Sequence, residues 1–143
     1  VLFNYVERHG MPLFELINNK VGKDRLVFLV HGGVDTEDRE KARQIAETTH
    51  DSIIVASYGT FSTGINIRNL HNVVFASPSK SKIRNLQSIG RVLRKGDHKT
   101  KAILYDIADD IGKNYTLNHL IERVKLYNEE NFNYEFIDVR IRE

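Results

Sequence analysis

One short segment of the chain carries a glutamine and two arginines at the spacing of a single helix face. Gln87, Arg91 and Arg94 stand at positions i, i+4 and i+7, so a helix projects all three side chains in one direction. Two guanidinium groups on one face suit phosphate oxygens, because each is planar, permanently charged and able to donate paired hydrogen bonds. Gly90 lies between them and costs a helix roughly 1 kcal/mol relative to alanine, which is tolerable where another backbone approaches closely.

Positive charge is concentrated around the same segment. The stretch 80–101 contains eight basic residues and one acid, Asp97, although the net charge of the whole chain is only +2. The basic residues are Lys80, Lys82, Arg84, Arg91, Arg94, Lys95, Lys99 and Lys101. A local excess of this kind favours an anionic partner, either a phosphate compound or a nucleic acid. A solvated basic helix face explains the pattern equally well, so spacing and charge leave both interpretations open.

Short apolar runs alternate with helical patterns and predict the elements that position these side chains. Strands are predicted over 1–5, 26–30, 53–56, 73–76 and 102–107. Helices are predicted over 12–19, from Asp35 or Thr36 to 48, from Ser81 through the arginine segment, and over 115–128. The runs 26–30 and 53–56 are apolar throughout, which is typical of strands buried on both faces. Residues 132–141 are β-rich in composition and predict an added strand or an extended tail.

This alternation predicts an α/β fold, a parallel sheet with helices on both faces. Ligands of such sheets bind beyond the carboxyl ends of the strands. Function is therefore expected in the loops 31–35, 57–69 and 77–81. The length of 143 residues suits a single domain over 1–143, in which 115–143 forms a C-terminal helix plus a strand-like extension.

The segment 87–94 resembles motif VI of the superfamily 2 helicases, Gln-x-x-Gly-Arg-x-x-Arg. The resemblance implies that Arg91 and Arg94 are catalytic and reach across a cleft to the γ-phosphate of ATP. It also implies that Gln87 contacts the nucleotide. The fold expected on this basis is RecA-like, and the chain is expected to be the second of two such motor domains.

The loop that follows the strand 53–56 is similar to motif V of the same family. The resemblance implies that Thr60, together with Gly59, binds the nucleic-acid backbone. It implies that Gly64 and Asn66 lie beside the nucleotide. The family usually has aspartate at the position of Asn66, and asparagine carries no charge, so the sequence departs from the pattern there.

Two further segments match the order of motifs in this domain. Residues 2–5 look like the strand of motif IV, and His31 and Gly32 end the next predicted strand, where the family lines its nucleic-acid track. We therefore expect nucleic-acid contacts from His31, Gly32, Lys80 and Lys82. A single histidine at a strand end is also commonly structural. The other five histidines show no metal-ligand spacing, so no metal site is expected.

The chain lacks the motifs that begin an ATP site. It contains no Gly-x-x-x-x-Gly-Lys-Ser/Thr loop and no Asp-Glu box to hold magnesium. The resemblance therefore implies that ATP with Mg²⁺ is bound mainly by an amino-terminal RecA-like domain of the same protein, outside this chain. We expect the isolated chain to be inactive as an ATPase.

Composition limits the classes of protein to which the chain can belong. Hydrophobic residues make up 41% and charged residues 28%, which is typical of a globular protein. No apolar run approaches the roughly 20 residues of a membrane span, and no secretory signal is evident. We therefore expect no membrane partner and an intracellular location, which is the host cytoplasm if the protein is viral. The absence of cysteine excludes disulfides.

At finer detail, the chain from about Phe28 onward is similar to the recombination helicases of T4-type bacteriophages. This resemblance implies a DNA motor that acts on branched DNA, such as stalled forks and crossovers. The alternative is a non-enzymatic nucleic-acid-binding module that uses the same basic surface. A self-sufficient small-molecule enzyme is disfavoured, because no nucleophile with a base and no pair of carboxylates emerges from the sequence.

Overall fold

The five strands among the described residues form one sheet and all run in the same direction. The computed structural model of the chain describes residues 1–64, 67, 70–77, 101–110, 112 and 115–142. The strands are β1 (Leu2–Phe3), β2 (Val27–Val30), β3 (Ile53–Ser57), β4 (Asn72–Phe75) and β5 (Ile103–Asp106). Their order across the sheet is β2-β3-β1-β4-β5, and every pairing is parallel. All five carboxyl ends therefore lie at one edge of the sheet, which we call the carboxyl edge.

Among the described residues, four α-helices and one π-helical turn connect or follow these strands. They are the π-helical turn Val6–Gly10 and the helices α1 (Met11–Val21), α2 (Thr36–Thr48), α3 (Tyr58–Gly64) and α4 (Tyr115–Glu129). Pro12 lies in the first turn of α1, where its missing N–H removes no helical hydrogen bond. Glu37 and Asp38 occupy the first turn of α2, where acids interact favourably with the helix dipole. The helices predicted over 12–19, to 48 and over 115–128 are confirmed.

The central strand β1 forms the middle of the core. Phe3 is fully buried, and so are Val55 and Ala56 of β3 and Phe75 of β4. Gly10 lies directly against the Phe3 ring, because a Cβ at that position would approach the ring to 2.4 Å. The absence of a side chain at Gly10 therefore allows the start of α1 to pack on the centre of the sheet.

The strand β2 is an outer strand of the sheet, with a neighbour on one side only among the described strands, and this corrects one prediction. Its first three residues are only half-buried and Val30 alone is buried. The prediction that 26–30 is buried on both faces was wrong, because a uniformly apolar run does not distinguish a central strand from an edge strand. Leu26, just before the strand, is 54% exposed.

A tail follows α4 over residues 132–142. Its root is attached to the helix: the Phe132 N–H donates to the Tyr127 carbonyl (2.9 Å), and the Tyr134 hydroxyl donates to Asn128 Oδ1 (3.1 Å). Beyond the root the tail pairs with none of the described strands, and Ile141 is 91% exposed. Among the described residues, no helix is both long enough and apolar enough to cross a membrane.

Candidate nucleic-acid and nucleotide site

The strand order brings two of the predicted functional loops together at the carboxyl edge. Val30 of β2 is the register partner of Ala56 in the neighbouring strand β3. His31 follows Val30 directly and Ser57 follows Ala56, so the two loops leave the sheet side by side. The adjacency of the 31–34 turn and α3 was not predicted, because single-sequence patterns do not reveal which strands are neighbours.

The first loop is a tight turn that fixes the histidine ring. The Val34 N–H donates to the His31 carbonyl (3.0 Å), and the Gly33 N–H donates to His31 Nδ1 (3.0 Å). Since Nδ1 accepts this hydrogen bond, the proton of the neutral imidazole resides on Nε2, which can donate to an anion. A Cβ at Gly33 would lie 2.9 Å from the His31 ring, whereas one at Gly32 would meet nothing within 4 Å. Gly33 therefore permits the ring position, and Gly32 leaves open space beside it.

The second loop corrects another prediction, since its first part is the helix α3. The sequence predicted an irregular loop over 57–69, but Tyr58–Gly64 is helical. Tyr58 is 2% exposed and Phe61 is 9% exposed, so burial of two aromatic rings holds the helix on the sheet despite its glycines. Gly64 is the last residue of α3.

The two predicted nucleic-acid contacts in α3 differ in accessibility. Gly59 is exposed, and a Cβ there would meet nothing within 4 Å, so a phosphate backbone has room to approach it. Thr60 is only 6% exposed, and the Ser57 hydroxyl donates to its hydroxyl oxygen (2.9 Å). The Thr60 side chain therefore takes part in an internal hydrogen bond at the base of the helix.

A buried group that the sequence did not reveal lies at the end of β5. The Asp106 carboxylate accepts two hydrogen bonds from Arg123, from Nε (2.7 Å) and Nη2 (2.8 Å), and a third from the Tyr127 hydroxyl. The Arg123 side chain is 2% exposed and that of Asp106 is 11% exposed. We call Asp106, Arg123 and Tyr127 the Asp106 cluster. It fastens α4 to the carboxyl edge.

Tyr58 of α3 lies next to the Asp106 cluster. Its ring contacts Phe75 with a centroid separation of 5.5 Å, and Phe75 is the register partner of Asp106. Burial raises the pKa of Tyr58 well above its usual range, the negative charge of Asp106 raises it further, and Arg123 offsets part of the shift. The helix that carries Gly59 and Thr60 therefore lies close to the buried ion pair of Asp106 and Arg123.

The end of β1 is also fastened at this edge. Asn4 donates from Nδ2 to the Ser77 carbonyl (2.6 Å), and the Asn4 N–H donates to the Ser77 hydroxyl (3.0 Å). These bonds fix the chain just before the predicted basic loop that contains Lys80 and Lys82. Six of the predicted site residues lie outside the described residues, namely Asn66, Lys80, Lys82, Gln87, Arg91 and Arg94.

No metal site is found among the described residues, where no three His, Asp or Glu side chains converge. The arrangement can offer hydrogen-bond donors and open space to an anionic polymer.

Comparison with known proteins identifies the family. The family model described as the helicase conserved C-terminal domain matches residues 1–96. The chain belongs to this helicase family. The RecA-like α/β fold expected from the resemblance is confirmed, since the crystal structure of T4 UvsW superimposes with a TM-score of 0.72 and 46% sequence identity, over 94% of this chain and 29% of that one.

Two curated helicases are similar in sequence. The ATP-dependent DNA helicase uvsW of Enterobacteria phage T4 is 46% identical over 148 aligned residues, which cover 94% of this chain and 29% of that protein. A putative ATP-dependent RNA helicase, L396 of Acanthamoeba polyphaga mimivirus, is 33% identical over 97 residues, or 68% of this chain and 17% of that protein. The chain thus spans less than a third of the length of either helicase.

Proposed function

We propose that this chain is the second motor lobe of an ATP-dependent DNA helicase or translocase that remodels branched DNA. One observation carries the proposal: the His31 turn and the first turn of α3 lie side by side at the carboxyl edge of a parallel sheet in a member of the helicase family. We assign DNA rather than RNA because the relative with the higher identity, 46%, is named as a DNA helicase.

In the proposed mechanism, the chain completes an ATP site whose phosphate-binding loop belongs to an amino-terminal RecA-like lobe. That lobe would hold ATP with Mg²⁺, and Arg91 and Arg94 would stabilise the negative charge that develops on the transferred phosphoryl group. Arginine fingers contribute about 10³ to 10⁵ in rate in comparable enzymes. Gln87, Gly64 and Asn66 would contact the nucleotide.

The DNA track in this proposal runs along the carboxyl edge. Nε2 of His31 donates to a phosphate, and the open space beside Gly32 and Gly59 allows the strand to approach. Thr60 supports the turn through its bond to Ser57, and Lys80 and Lys82 add positive charge further along. Closure of the two lobes around ATP would shift these contacts along one strand, and hydrolysis would reverse the closure.

The arginine role is tested in the full-length protein by Arg94→Ala. We expect DNA-stimulated ATP hydrolysis to fall by about 10³-fold or more, with ATP binding nearly intact. The matched control is Arg25→Ala. Arg25 is exposed, precedes β2 at the amino-terminal ends of the strands and forms a 3.3 Å ion pair with Asp51. Unchanged turnover in Arg94→Ala would refute the assignment.

The choice of DNA is tested by comparing ATP hydrolysis in the presence of a four-way junction, linear duplex DNA and double-stranded RNA. We expect the junction to stimulate most strongly, and stronger stimulation by RNA would overturn the choice. We also infer an intracellular site of action in the host cytoplasm, because the relative at 46% identity is a bacteriophage enzyme.

The alternative, a non-enzymatic binding module, predicts a different result for this chain alone. A single motor lobe should bind DNA weakly and without sequence preference, since phosphate contacts contribute charge but little specificity. Its affinity should fall steeply with salt, with a slope of about −0.9 per phosphate contacted. Tight, sequence-selective binding by the chain alone would favour the module.

A further inference from the structure

Gly33, in the turn after β2, is a glycine that the fold itself does not require. It is exposed, and its φ is not positive, unlike those of Gly22 and Gly112, so an alanine can adopt its backbone conformation. Apart from its chain neighbours, the described atoms that a Cβ there would meet within 4 Å are Cε1 of His31 at 2.9 Å and Nδ1 of His31 at 3.2 Å. Among the described residues, a single histidine side chain therefore excludes a larger residue at this position.

The backbone of Gly33 holds the same ring. The Gly33 N–H donates to Nδ1 of His31 at 3.0 Å. A neutral imidazole whose Nδ1 accepts a hydrogen bond carries its proton on Nε2. Nε2 makes no hydrogen bond to any described residue, and His31 is only partly buried. The turn therefore presents a hydrogen-bond donor of fixed direction at the carboxyl edge.

A methyl group at position 33 would displace the ring. Ordinary contacts of a Cβ begin at 3.4 Å, so Cε1 of His31 would have to retreat by about 0.5 Å (3.4 − 2.9). The nitrogen and the new Cβ of residue 33 are bonded to the same Cα, so a ring that moves away from one also moves away from the other. The bond to Nδ1 would lengthen from 3.0 Å towards about 3.5 Å, where hydrogen bonds are weak. The imidazole could then rotate and carry its proton on either nitrogen.

We propose that Gly33 is a positioning residue for DNA binding: its N–H and its missing side chain together aim Nε2 of His31 at a DNA phosphate. This inference rests on the proposed function, because it needs His31 to contact DNA. A hydrogen bond to a charged acceptor corresponds to about a tenfold or larger change in affinity. A ring with its proton on Nδ1 would instead turn a lone pair towards the phosphate. Gly33→Ala should therefore weaken DNA binding nearly as much as removal of the imidazole itself.

The test is a double-mutant cycle in the full-length protein, with His31→Ala, Gly33→Ala and the two combined. The DNA concentration for half-maximal ATPase stimulation should rise about tenfold in each single variant. In the combined variant it should rise no further, because Gly33 acts through a ring that is no longer present. Turnover of Gly33→Ala at saturating DNA should change little, because Gly33 acts on binding and not on the reacting phosphate.

Two further measurements separate positioning from folding. The urea midpoint of Gly33→Ala should match that of the wild type closely, because the methyl group displaces the end of one side chain at the surface and no core group. NMR shifts of the ring nitrogens, with selective isotope labelling of histidine, distinguish the two tautomers of the neutral ring. The wild type should carry the His31 proton on Nε2 and Gly33→Ala should show a mixture, and the His31 signals are those that His31→Ala lacks.

The outcomes distinguish the inference from the function on which it rests. If His31→Ala raises the half-saturating DNA concentration and Gly33→Ala does not, the positioning role of Gly33 is wrong while the proposed function stands. If Gly33→Ala weakens DNA binding as much without the imidazole as with it, its effect does not pass through His31 and the inference is also wrong. If His31→Ala changes nothing, the His31 contact and the inference fail together. If the wild-type protein shows no DNA-stimulated hydrolysis, the proposed function itself fails.

Discussion

Replacing Asp106 by asparagine removes one charge from a buried ion pair while keeping the shape of the side chain. Arg123 binds both carboxylate oxygens at 2.7 and 2.8 Å, and its side chain is only 2% exposed. In Asp106→Asn the guanidinium stays buried without a counter-charge. Breaking one side of such a pair costs about 3–5 kcal/mol.

That loss is large for a domain of this size. Total stabilities of single domains are about 5–15 kcal/mol, so the variant should lose roughly a fifth or more of its free energy of unfolding. The melting temperature should fall by roughly 10 °C or more. Urea unfolding of the chain, followed by circular dichroism, measures the free energy directly through the shift of the midpoint.

Asp51→Asn is the control, because it makes the same chemical change in an exposed ion pair. Asp51 bonds Arg25 at 3.3 Å, and the two side chains are 74% and 47% exposed. Exposed pairs of this kind contribute about 0–1 kcal/mol. Equal losses in Asp51→Asn and Asp106→Asn would refute the reasoning. The double variant Asp106→Asn, Arg123→Met should recover much of the loss, since no buried charge remains.

Two further predictions concern stability. Gly10→Ala should lower the free energy of unfolding by about 1–3 kcal/mol, because the new Cβ would approach the Phe3 ring to 2.4 Å. Gly32→Ala should lower it much less, because a Cβ there meets nothing within 4 Å. The urea midpoints of the two variants measure the difference, and equal midpoints would contradict the packing. Burial raises the pKa of Tyr58 and Tyr127 above the usual value near 10, and Asp106 raises both further, so the folded state keeps protons that the unfolded state loses at high pH. The two tyrosines should therefore leave stability unchanged below about pH 9 and lower it above about pH 10, by up to about 1.4 kcal/mol per pH unit for each tyrosine. Urea midpoints measured from pH 8 to 11 test this prediction. Tyr127→Phe should make the midpoint fall less steeply with pH. A midpoint independent of pH would show that the phenols are not buried as described.

The strands were predictable because their apolar runs are short, uninterrupted and bounded by polar residues. The runs 53–56 and 73–76 lie within a residue of β3 and β4. The order of the strands was not predictable, because it depends on contacts between segments far apart in sequence. As a result no sequence pattern indicated that β2 is an outer strand or that His31 lies next to α3.

The helix α3 escaped prediction because its local composition opposes helix formation. Gly59 and Gly64 and the intervening hydroxyl side chains favour turns over helices. Burial of Tyr58 and Phe61 overrides these preferences, and that contribution is visible only in three dimensions. The sequence therefore predicted the wrong local structure for the segment 58–64 and did not reveal its buried support.

The Asp106 cluster shows a similar limit of sequence reasoning. In α4 the apolar Ile121 is 54% exposed, whereas the charged Arg123 is buried. Leu126 and Tyr127 do face the core. A charged residue in a helix is normally predicted to be exposed. The partner that allows Arg123 to be buried is Asp106, which lies 17 positions earlier at the end of a strand. No local pattern links the two.

The ion pair between Arg25 and Asp51 lies at the amino-terminal ends of β2 and β3, opposite to the carboxyl edge where all the proposed chemistry lies. A strand advances about 3.3 Å per residue, so Asp51 lies roughly 20 Å along the chain from Ser57 at the carboxyl edge. The chain has no cysteine, so Asp51→Cys gives it a single thiol for a fluorophore. A dye there can report the distance to a partner lobe by energy transfer without touching the loops proposed to hold nucleotide or DNA.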